Sequence, residues 1–583
     1  MNCYIIMKKI YFFIFTVVFL CSCSDESKKQ FQYAGGSICM ALDNEPATFI
    51  PREVTDYYSA TVLTQVMEGL VTLDPKDLKI KPQLASDWTI SDDGLIYEFE
   101  LRKDVYFHAH SSFLSKRDRR LTPSDVIHSI ELACKKNEKG QAPHAFSFLY
   151  KDKLLGANDY FAGKSKKIEG LKIEGNKVRL TLVRKDDNFL NKLSNICAAI
   201  TSEKIQNDNL EGEMIGTGPF YFSAYKQGSP PSIILLKNQD YYLKDAAGNA
   251  LPYLDSLVLI FQPRKLDQLD MFENHQTDLI TGLPTNRITK MLEGRIKDFN
   301  SKPPLLIMYN NPLLTTNYYF FNMTDPRFKN LKVRQAFNYA LDKEKLGRDV
   351  LRNQYYELGY YGIVPPISKT FKGYDFQGVR EASYSYNPEK AKKLLAEAGY
   401  PDGKGFGSVN LRFNIDDIHS AVADEFAKQI FQILNINVNI DGSTFEQKDN
   451  DASMANGDIF RSAWSGDYAS PETFLLTFYG KNVPLTTNEL SRMNQSRYVN
   501  PLFDQLFDQA RNSTKKSDVM DYFAKAEKIL MQDPPMIPLW YSGDIQIVYS
   551  NVRNLSFNAL NLFVFKEVYK KNWTEDEYKK TIN

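Results

Sequence analysis

The chain has 583 residues, which corresponds to roughly four compact units at about 150 residues each. Hydrophobic residues make up 43% and charged residues 25%, a composition typical of a soluble globular protein. It excludes a disordered, a collagen-like or a polytopic membrane protein. Lys and Arg total 72 and Asp and Glu total 71, so the net charge of +1 lacks the basic surplus of a nucleic-acid-binding protein.

The N-terminus has the pattern of an export signal. Two lysines precede an apolar run, residues 10–20, which is too short to cross a bilayer that needs about 20 helical residues. A basic start, a short apolar run and small residues after it predict a signal peptide over 1–22. Residues 20–23 resemble the bacterial lipobox, so we expect a lipid anchor on Cys23 and a polar tether over 23–31.

Export also determines how the cysteines are interpreted. Cys39, Cys134 and Cys197 are too few and too scattered for a disulfide framework, and the sequence leaves open whether one bridge forms.

The predicted location is the cell envelope, with the protein exported and lipid-anchored. An outer-membrane anchor is favoured over an inner-membrane one in a host with two membranes, because Ser24 is not the Asp that often retains lipoproteins at the inner membrane.

The body of the chain alternates between strand and helix patterns. Strands are indicated by alternation of apolar and polar residues next to turn residues, and helices by an N-cap residue followed by proline. No internal repeat is visible. The elements predicted in chain order are a strand over 95–101, a helix from Thr122 and Pro123, a hairpin of 171–173 with 177–183, and a helix over 390–398 ending at Gly399.

Catalytic signatures are absent from the sequence. There is no zinc-protease helix motif, serine-nucleophile elbow, C-x-x-C pair or EF-hand loop. Residues 162–165 end like a phosphate-binding loop, but Asn158 stands where that motif needs a small residue. His108 and His110 share one face of a strand, yet no further metal ligand follows, and we interpret them as surface histidines. No catalytic residue, metal or cofactor is predicted.

Several stretches of the sequence form an ordered series of motifs. They are residues 84–108, 216–220 (GTGPF), 322–342, 390–400 and 464–468 (WSGDY) with Pro471 and Phe474. Each motif is weak alone, but their order and spacing cover almost the whole mature chain. The series resembles the family 5 bacterial extracellular solute-binding proteins, the oligopeptide- and dipeptide-binding lipoproteins of ABC importers. The chain departs from the family pattern in the insertion-like stretch 109–120 and at Ser470, where relatives often carry Asp.

The resemblance implies an α/β fold, a two-lobed periplasmic-binding-protein clamp of type II, cluster C-like, with an extra small domain on the first lobe. Segments 318–320 and 538–540 are the predicted crossing strands, and closure of the lobes would be a hinge motion. The chain is expected to be a monomer. The implied boundaries are 32–75, 201–316 and 542–583 for lobe 1, 76–200 for the small domain, and 317–541 for lobe 2.

The resemblance also implies a function: capture of peptides in the cleft between the lobes and delivery to a membrane permease. Asp467 matches the family residue that anchors the peptide α-amino group, and an unpaired ammonium in a closed cleft would be costly. Ser470 and Pro471 can start the next helix, which leaves Asp467 free. Trp464 is expected to wall the pocket. The backbone of Ala463 and Ser465 is expected to pair with the ligand, and residues 53–57 to form the opposite wall.

Several questions stay open at this stage. Arg412 and Arg461 are both candidates for the peptide carboxylate, so ligand length is undetermined. Tyrosines 355–356 and 360–361 either line the cleft or pack in the core. The same fold also serves nickel chelates, haem, opines and sugars, and an exported hydrolase or structural protein is the alternative class. The predicted partners are a peptide, the permease subunits and the membrane through the lipid, with no nucleic acid.

Overall fold

The computed structural model describes residues 31–137, 140–205, 214–284, 287–486, 489–513 and 515–582. The predicted signal peptide, the predicted anchor Cys23 and the tether up to residue 30 lie outside these ranges. Within them, no helix is long and apolar enough to span a membrane.

Strands and helices are interleaved along the whole chain, as the sequence patterns predict. The strands are β1 Ser37–Leu42, β2 Val71–Leu73, β3 Ile80–Pro82, β4 Ala85–Ile90, β5 Ile96–Leu101, β6 Leu171–Glu174, β7 Lys177–Thr181, β8 Phe220–Lys226, β9 Ser232–Lys237, β10 Ser256–Phe261, β11 Leu279–Thr281, β12 Leu306–Phe321, β13 Glu357–Leu358, β14 Val409–Asn414, β15 Val438–Ser443, β16 Ile459–Ser465, β17 Met536–Tyr549, β18 Val552–Arg553 and β19 Tyr569–Lys570. The α-helices are α1 Tyr57–Val66, α2 Pro123–Ala133, α3 Ala157–Phe161, α4 Phe189–Leu193, α5 Lys265–Glu273, α6 Ile288–Gly294, α7 Ile296–Asn300, α8 Pro326–Lys329, α9 Leu331–Ala340, α10 Lys343–Lys345, α11 Phe376–Ala382, α12 Pro388–Glu397, α13 Asp417–Leu434, α14 Phe445–Ser453, α15 Glu472–Leu475, α16 Pro501–Asn512, α17 Lys516–Gln532 and α18 Glu575–Ile582. Short 3₁₀ turns lie at Pro51–Glu53, Lys116–Arg119, Ile196–Ala198, Pro401–Gly403, Leu476–Phe478 and Gly480–Asn482, and π turns at Phe146–Tyr150 and Leu346–Val350.

Local capping explains where the predicted helices begin. Thr122 accepts a hydrogen bond from the Asp125 backbone, and the Asp125 carboxylate accepts one from the Thr122 backbone, which is a complete capping box. At α12 the Asn387 side chain accepts from the Lys390 N–H, and Pro388 occupies the first helical position. These short-range contacts are present in the sequence pattern itself, so both starts were predictable.

One mixed sheet runs through the molecule. Among the residues described its order is β15-β14-β16-β12-β17-β11-β1-β10-β9-β8, with β13 added beside β17. The long antiparallel pair β12 and β17 joins the two ends of this sheet. Tyr318 pairs with Pro538, so the two predicted crossing segments do lie side by side. The pair has two register shifts. One lies between Pro312 and Thr316, where proline cannot donate to the ladder, and the other between Asn317 and Tyr318, at the start of the first crossing segment.

Buried apolar side chains form separate clusters along this sheet. One cluster, around Phe99, is built mainly from residues between 70 and 215. A second surrounds Leu257 at the β1 end of the sheet. Near β16 the two sheet faces carry two more, one containing Phe460 and the other Tyr319. The fold is therefore mixed α/β, with its largest sheet covered on both faces around β16.

His108 departs from the sequence interpretation, because it is buried rather than at the surface. The Gly216 N–H donates to its Nδ1 at 3.3 Å, and its Nε2 lies 3.0 Å from the Gly218 carbonyl oxygen. With Nδ1 accepting, Nε2 must carry the proton and donate, so the imidazole is neutral. Burial lowers the pKa of His108 to about 4. His108 thus holds the GTGPF turn, and no cluster of metal-ligating side chains occurs in the described ranges.

Candidate functional site

The open edge of β16 is the main feature of the candidate site. On one side β16 pairs with β12 along its whole length, from Ile459 opposite Phe321 to Ser465 opposite Thr315. On the other side β14 pairs with it only at Ile459 and Phe460. From residue 461 to 465 this second edge therefore has no strand partner in the part of the chain that is described.

The strand register determines which residues serve that edge. The Gly466 N–H donates to the Leu314 carbonyl on the β12 side at 2.7 Å. Hydrogen-bonding groups alternate along a strand, so Ala463 and Ser465 direct their backbone groups away from β12, toward the open edge. Ser465 is exposed and Ala463 half-buried. A row of unpaired N–H and C=O groups is a template for an additional strand.

Asp467 lies in the turn directly after β16, and its side chain is exposed. Its Oδ2 accepts a hydrogen bond from the Thr473 hydroxyl at 3.2 Å. Ser470 Oγ accepts from the Glu472 N–H at 3.3 Å, but α15 begins at Glu472 with Pro471 at its N-cap position and no side-chain cap. The predicted Ser470 cap with Pro471 in the first helical position is therefore wrong, and Asp467 does not cap the helix either. Desolvation by the surrounding protein raises the pKa of Asp467, against the opposing hydrogen bond from Thr473. Asp467 is therefore accessible to solvent, while the protein around it disfavours its charged form.

Two lysines lie near Asp467, but each has another partner. Lys192 Nζ forms an ion pair with Asp186 Oδ2 at 2.7 Å and lies 5.2 Å from the centroid of the Tyr468 ring. Lys153 Nζ donates to the Phe148 carbonyl at 2.5 Å. Both cations oppose the rise of the Asp467 pKa through space without pairing with it. Within the described chain, Asp467 has no ion-pair partner.

Trp464 is half-buried beside this turn. Its Nε1 donates to Thr473 Oγ1 at 3.3 Å, and its ring packs against the aromatic cluster around Phe460. Thr473, buried at the start of α15, therefore contacts both Trp464 and Asp467. The sequence patterns did not single out Thr473, because a threonine inside a short helix has no distinguishing signal.

The two candidate arginines have different surroundings. Arg412 is neutralised by an ion pair with Asp451 and a second contact to Asp441 at 3.5 Å. Arg461 instead donates to the side-chain oxygens of Asn414 and Asn317, at 3.0 Å each. Its Nε has no hydrogen-bond partner in the described ranges. Burial lowers the pKa of Arg461 to about 10, against the opposing charge of Asp416, and Arg461 forms no ion pair among the described residues.

His419, which sequence reasoning missed, lies next to Arg461 at the start of α13. Its Nε2 is 3.2 Å from Asp416 Oδ2, and its Nδ1 is buried without a partner among the described residues. Burial first, and the charge of Arg461 second, lower the pKa of His419 to about 4. The imidazole is therefore neutral at pH 7, and together with Arg461 it presents unused hydrogen-bonding capacity.

The remaining predicted residues lie in two other places. Residues 53–57 connect the turn Pro51–Glu53 to α1, whose N-cap is Asp56. Tyr356 is exposed, and its backbone N–H donates to the Tyr541 carbonyl at 2.9 Å. The Tyr361 hydroxyl accepts from Arg380 at 2.6 Å. Tyr356 is therefore outside the buried core, whereas Tyr361 packs against the cluster around Phe460, and Tyr355 and Tyr360 pack against the cluster around Tyr319.

The turn at residues 467–472 and the start of α4 connect the site to the apolar cluster around Phe99. Asn188 donates to Glu472 Oε2 at 2.5 Å, close to the Lys192 contact with Tyr468. Residues 467–472 therefore carry Asp467 and at the same time contact residues 186–192.

Comparison with known proteins settles the family. The model of the "Bacterial extracellular solute-binding proteins, family 5 Middle" matches residues 79–484. The chain belongs to this family. Heme-binding protein A of Haemophilus influenzae is 28% identical over 527 residues, covering 86% of this chain and 85% of that protein. Oligopeptide-binding protein OppA of Bacillus subtilis is 24% identical over 537 residues, covering 91% and 92%.

Solved structures confirm the fold of this solute-binding protein. The periplasmic binding protein DppA of Helicobacter pylori in complex with the peptide STSA superposes with a TM-score of 0.73 at 24% identity. The alignment covers 94% of this chain and 99% of that one. The family and the periplasmic-binding-protein fold expected from the motif series are therefore both confirmed.

Proposed function

We propose that this solute-binding protein is the substrate-binding lipoprotein of an ABC importer, and that it captures peptides along the open edge of β16. The observation that carries the proposal is the strand edge of residues 461–465, which lacks a strand partner among the described residues, followed at once by the Asp467 carboxylate, which has no ion-pair partner there. A peptide supplies both complements, a backbone that adds as a strand and a terminal ammonium. Relatives named for oligopeptide and dipeptide binding support this ligand class.

The positions of the charges suggest how a peptide lies. With its ammonium at Asp467 and its carboxylate toward Arg461, the peptide runs antiparallel to β16. Four residue steps separate Arg461 from Ser465, which is about 13 Å at roughly 3.3 Å per residue. A peptide of about four residues spans that distance. Arg412 is excluded from the carboxylate role because Asp451 already neutralises it.

The proposal includes the architecture expected of a clamp. Lobe 1 comprises 32–75, 201–316 and 542–583, the small domain 76–200, and lobe 2 residues 317–541. Residues 53–57 form the wall opposite β16, and the lobes close on the ligand by a hinge motion. The register shift at Pro312 and Thr316 supports a hinge in the β12–β17 pair. The receptor acts as a monomer, without catalytic activity.

The proposal also places the receptor at the membrane. A lipid on Cys23 holds it in the cell envelope, with the outer membrane favoured where two membranes exist, and it delivers peptides to the permease subunits. The basis is the lipobox-like sequence at residues 20–23. Phase partitioning of the expressed protein in detergent tests this attachment directly.

Haem is the second candidate ligand, because a relative with 28% identity over most of the chain is named for haem binding. Native mass spectrometry of freshly purified protein separates the two ligands. A ladder of co-purified peptide masses supports the peptide receptor. A single bound species with the mass and the absorbance of haem contradicts it.

The role of Asp467 is tested by a double-mutant cycle in calorimetry. Asp467→Asn keeps the shape of the side chain but removes its charge, so free-amine peptides should bind about tenfold more weakly or worse. N-acetylated peptides lack the ammonium, should bind the wild type poorly and should lose little more on mutation. Asp424→Asn, an exposed aspartate on α13, is the matched control and should change neither affinity. Additive effects of acetylation and mutation would show that Asp467 is not the amine partner.

A further inference from the structure

A small cavity of about 140 Å³ adjoins the open edge of β16, on the sheet face that carries Ser462 and Trp464. Ala463 and Trp464 belong both to its lining and to the proposed peptide-binding strand. Alternate residues of an added strand would point to this same face. Half of its lining residues are aromatic or apolar, with Tyr318, Phe320, Phe445, Phe478 and Met493 beside Trp464, and the other half are polar or charged.

A buried ammonium belongs to the lining of this cavity. The Lys448 side chain, on α14, is 2% exposed. Its Nζ lies 4.8 Å from the centroid of the Phe445 ring and 3.9 Å from Asp449 Oδ1, which is beyond hydrogen-bond distance. That same carboxylate oxygen accepts from Gln495 Nε2 at 2.8 Å. Within the described ranges the Lys448 ammonium makes no hydrogen bond, so its donors are available to a ligand.

The charge around the cavity favours an anion. Arg492 also lines it, is exposed, and has no ion pair among the described residues, whereas Asp449 is the one carboxylate of the lining. Burial lowers the pKa of Lys448 to about 8, although the charge of Asp449 opposes the effect. A cation held in an apolar site without a partner is costly, and a carboxylate at hydrogen-bond distance removes that cost.

We propose that this cavity is a side-chain subsite that selects a glutamate or aspartate residue of the bound peptide, with the acidic side chain on the Lys448 ammonium. The inference rests on the proposed function, because the peptide must lie along β16 to reach the cavity. A water molecule takes about 30 Å³ in the liquid, so the cavity holds about four or five water-sized groups. That matches a glutamate side chain, and the aromatic walls contact its methylene groups.

Calorimetry with a positional set of peptides tests the subsite. Tetra-alanine carries Glu at each position in turn, and each peptide is paired with its Gln isostere. At one position the wild type should bind Glu about tenfold more tightly than Gln or better. Lys448→Met, which keeps an apolar stem, should abolish that preference while leaving the Gln peptide within about threefold. Lys343→Met is the control: this lysine is also buried, but its ammonium donates to the Gly359 carbonyl and it does not line the cavity.

The outcomes separate this inference from the proposed function. If tetra-alanine and all its variants fail to bind, both are overturned. If the peptides bind but the wild type shows no Glu preference at any position, only the subsite is overturned, and this result needs no variant to fold. A preference that survives Lys448→Met also overturns it. C-terminally amidated peptides form the last arm: if Lys448→Met responds to amidation instead of to Glu, Lys448 holds the terminal carboxylate and the side-chain assignment is wrong.

Discussion

Replacing His108 by Asn tests whether this buried imidazole makes the fold sensitive to acid. In the folded protein both ring nitrogens are engaged by the turn at Gly216 and Gly218, and one of them must accept a hydrogen bond. Protonation would turn that acceptor into a donor facing an N–H group. The folded state therefore resists protonation, whereas the unfolded chain does not.

The size of the effect follows from the two pKa values. Burial lowers the pKa of His108 from 6.5 to about 4. The unfolded chain binds the proton first, so the stability from neutral His108 is complete above pH 6.5 and is lost as the pH falls toward 4. At about 1.36 kcal/mol per pH unit, the wild type loses about 2 kcal/mol by pH 5 and about 3 kcal/mol by pH 4 from this residue.

Urea unfolding of the wild type and His108→Asn between pH 7 and pH 4 measures this loss. Asn keeps an acceptor for the Gly216 N–H but does not titrate, so the variant should be less stable at pH 7 and should lose less stability in acid. The free-energy gap between the two proteins should shrink by about 2 kcal/mol between pH 7 and pH 5. His275→Asn, a change at an exposed histidine, should follow the wild type. Parallel wild-type and His108→Asn profiles would refute the reasoning.

Three further predictions concern a glycine, a buried acid and the anchor. Gly216→Ala should lower the free energy of unfolding in urea by about 3 kcal/mol or more, because the new Cβ would lie 2.1 Å from the Val66 carbonyl oxygen. Gly294→Ala is the control, because its Cβ meets no atom and the change should be neutral. Equal effects of the two substitutions would contradict the close approach at Gly216. Burial raises the pKa of Glu527 from 4.5 to about 8. The contribution of protonated Glu527 to the free energy of unfolding is therefore complete below pH 4.5 and is lost as the pH rises toward 8. Relative to Glu527→Gln, the wild type should lose about 2 to 3 kcal/mol between pH 5 and pH 7, and matching profiles would count against a neutral buried acid. Cys23→Ser should move the protein from the detergent phase to the aqueous phase, and unchanged partitioning would exclude the lipid anchor.

The features that were predictable depend on neighbours close in sequence. The capping box at Thr122 joins residues three positions apart, and the turn before β5 is a short polar run, so both appear in the sequence pattern. The motif series led to the family because it preserves such local patterns in order. Trp464 and Asp467 were found in this way, although their roles remain proposals.

The features that were missed depend on distant contacts. His108 looked like a surface residue because its hydrogen-bond partners follow it by more than a hundred positions. Lys448 lies in a polar helix whose sequence does not indicate its burial, and the neighbouring Asp449 is bound by Gln495, 46 positions away. The sequence does not distinguish Arg412 from Arg461, because the carboxylate that pairs with Arg412, that of Asp451, lies 39 positions away along the chain. The open edge of β16 arises where β14 stops pairing, which no single-strand pattern encodes.

The turn at residues 467–472 has a consequence for how the receptor is recognised. This turn carries Asp467 and also contacts Asn188 and Lys192 across the molecule. A ligand that immobilises the turn therefore also makes its contact with Asn188 and Lys192 more rigid, whatever side chains the ligand has. We expect a permease that is sensitive to the rigidity of this contact to distinguish a loaded receptor from an empty one without recognising the ligand itself. Such a receptor can bind many different peptides while the permease detects binding at one place. Amide hydrogen exchange at residues 186–192, with and without peptide, measures the coupling.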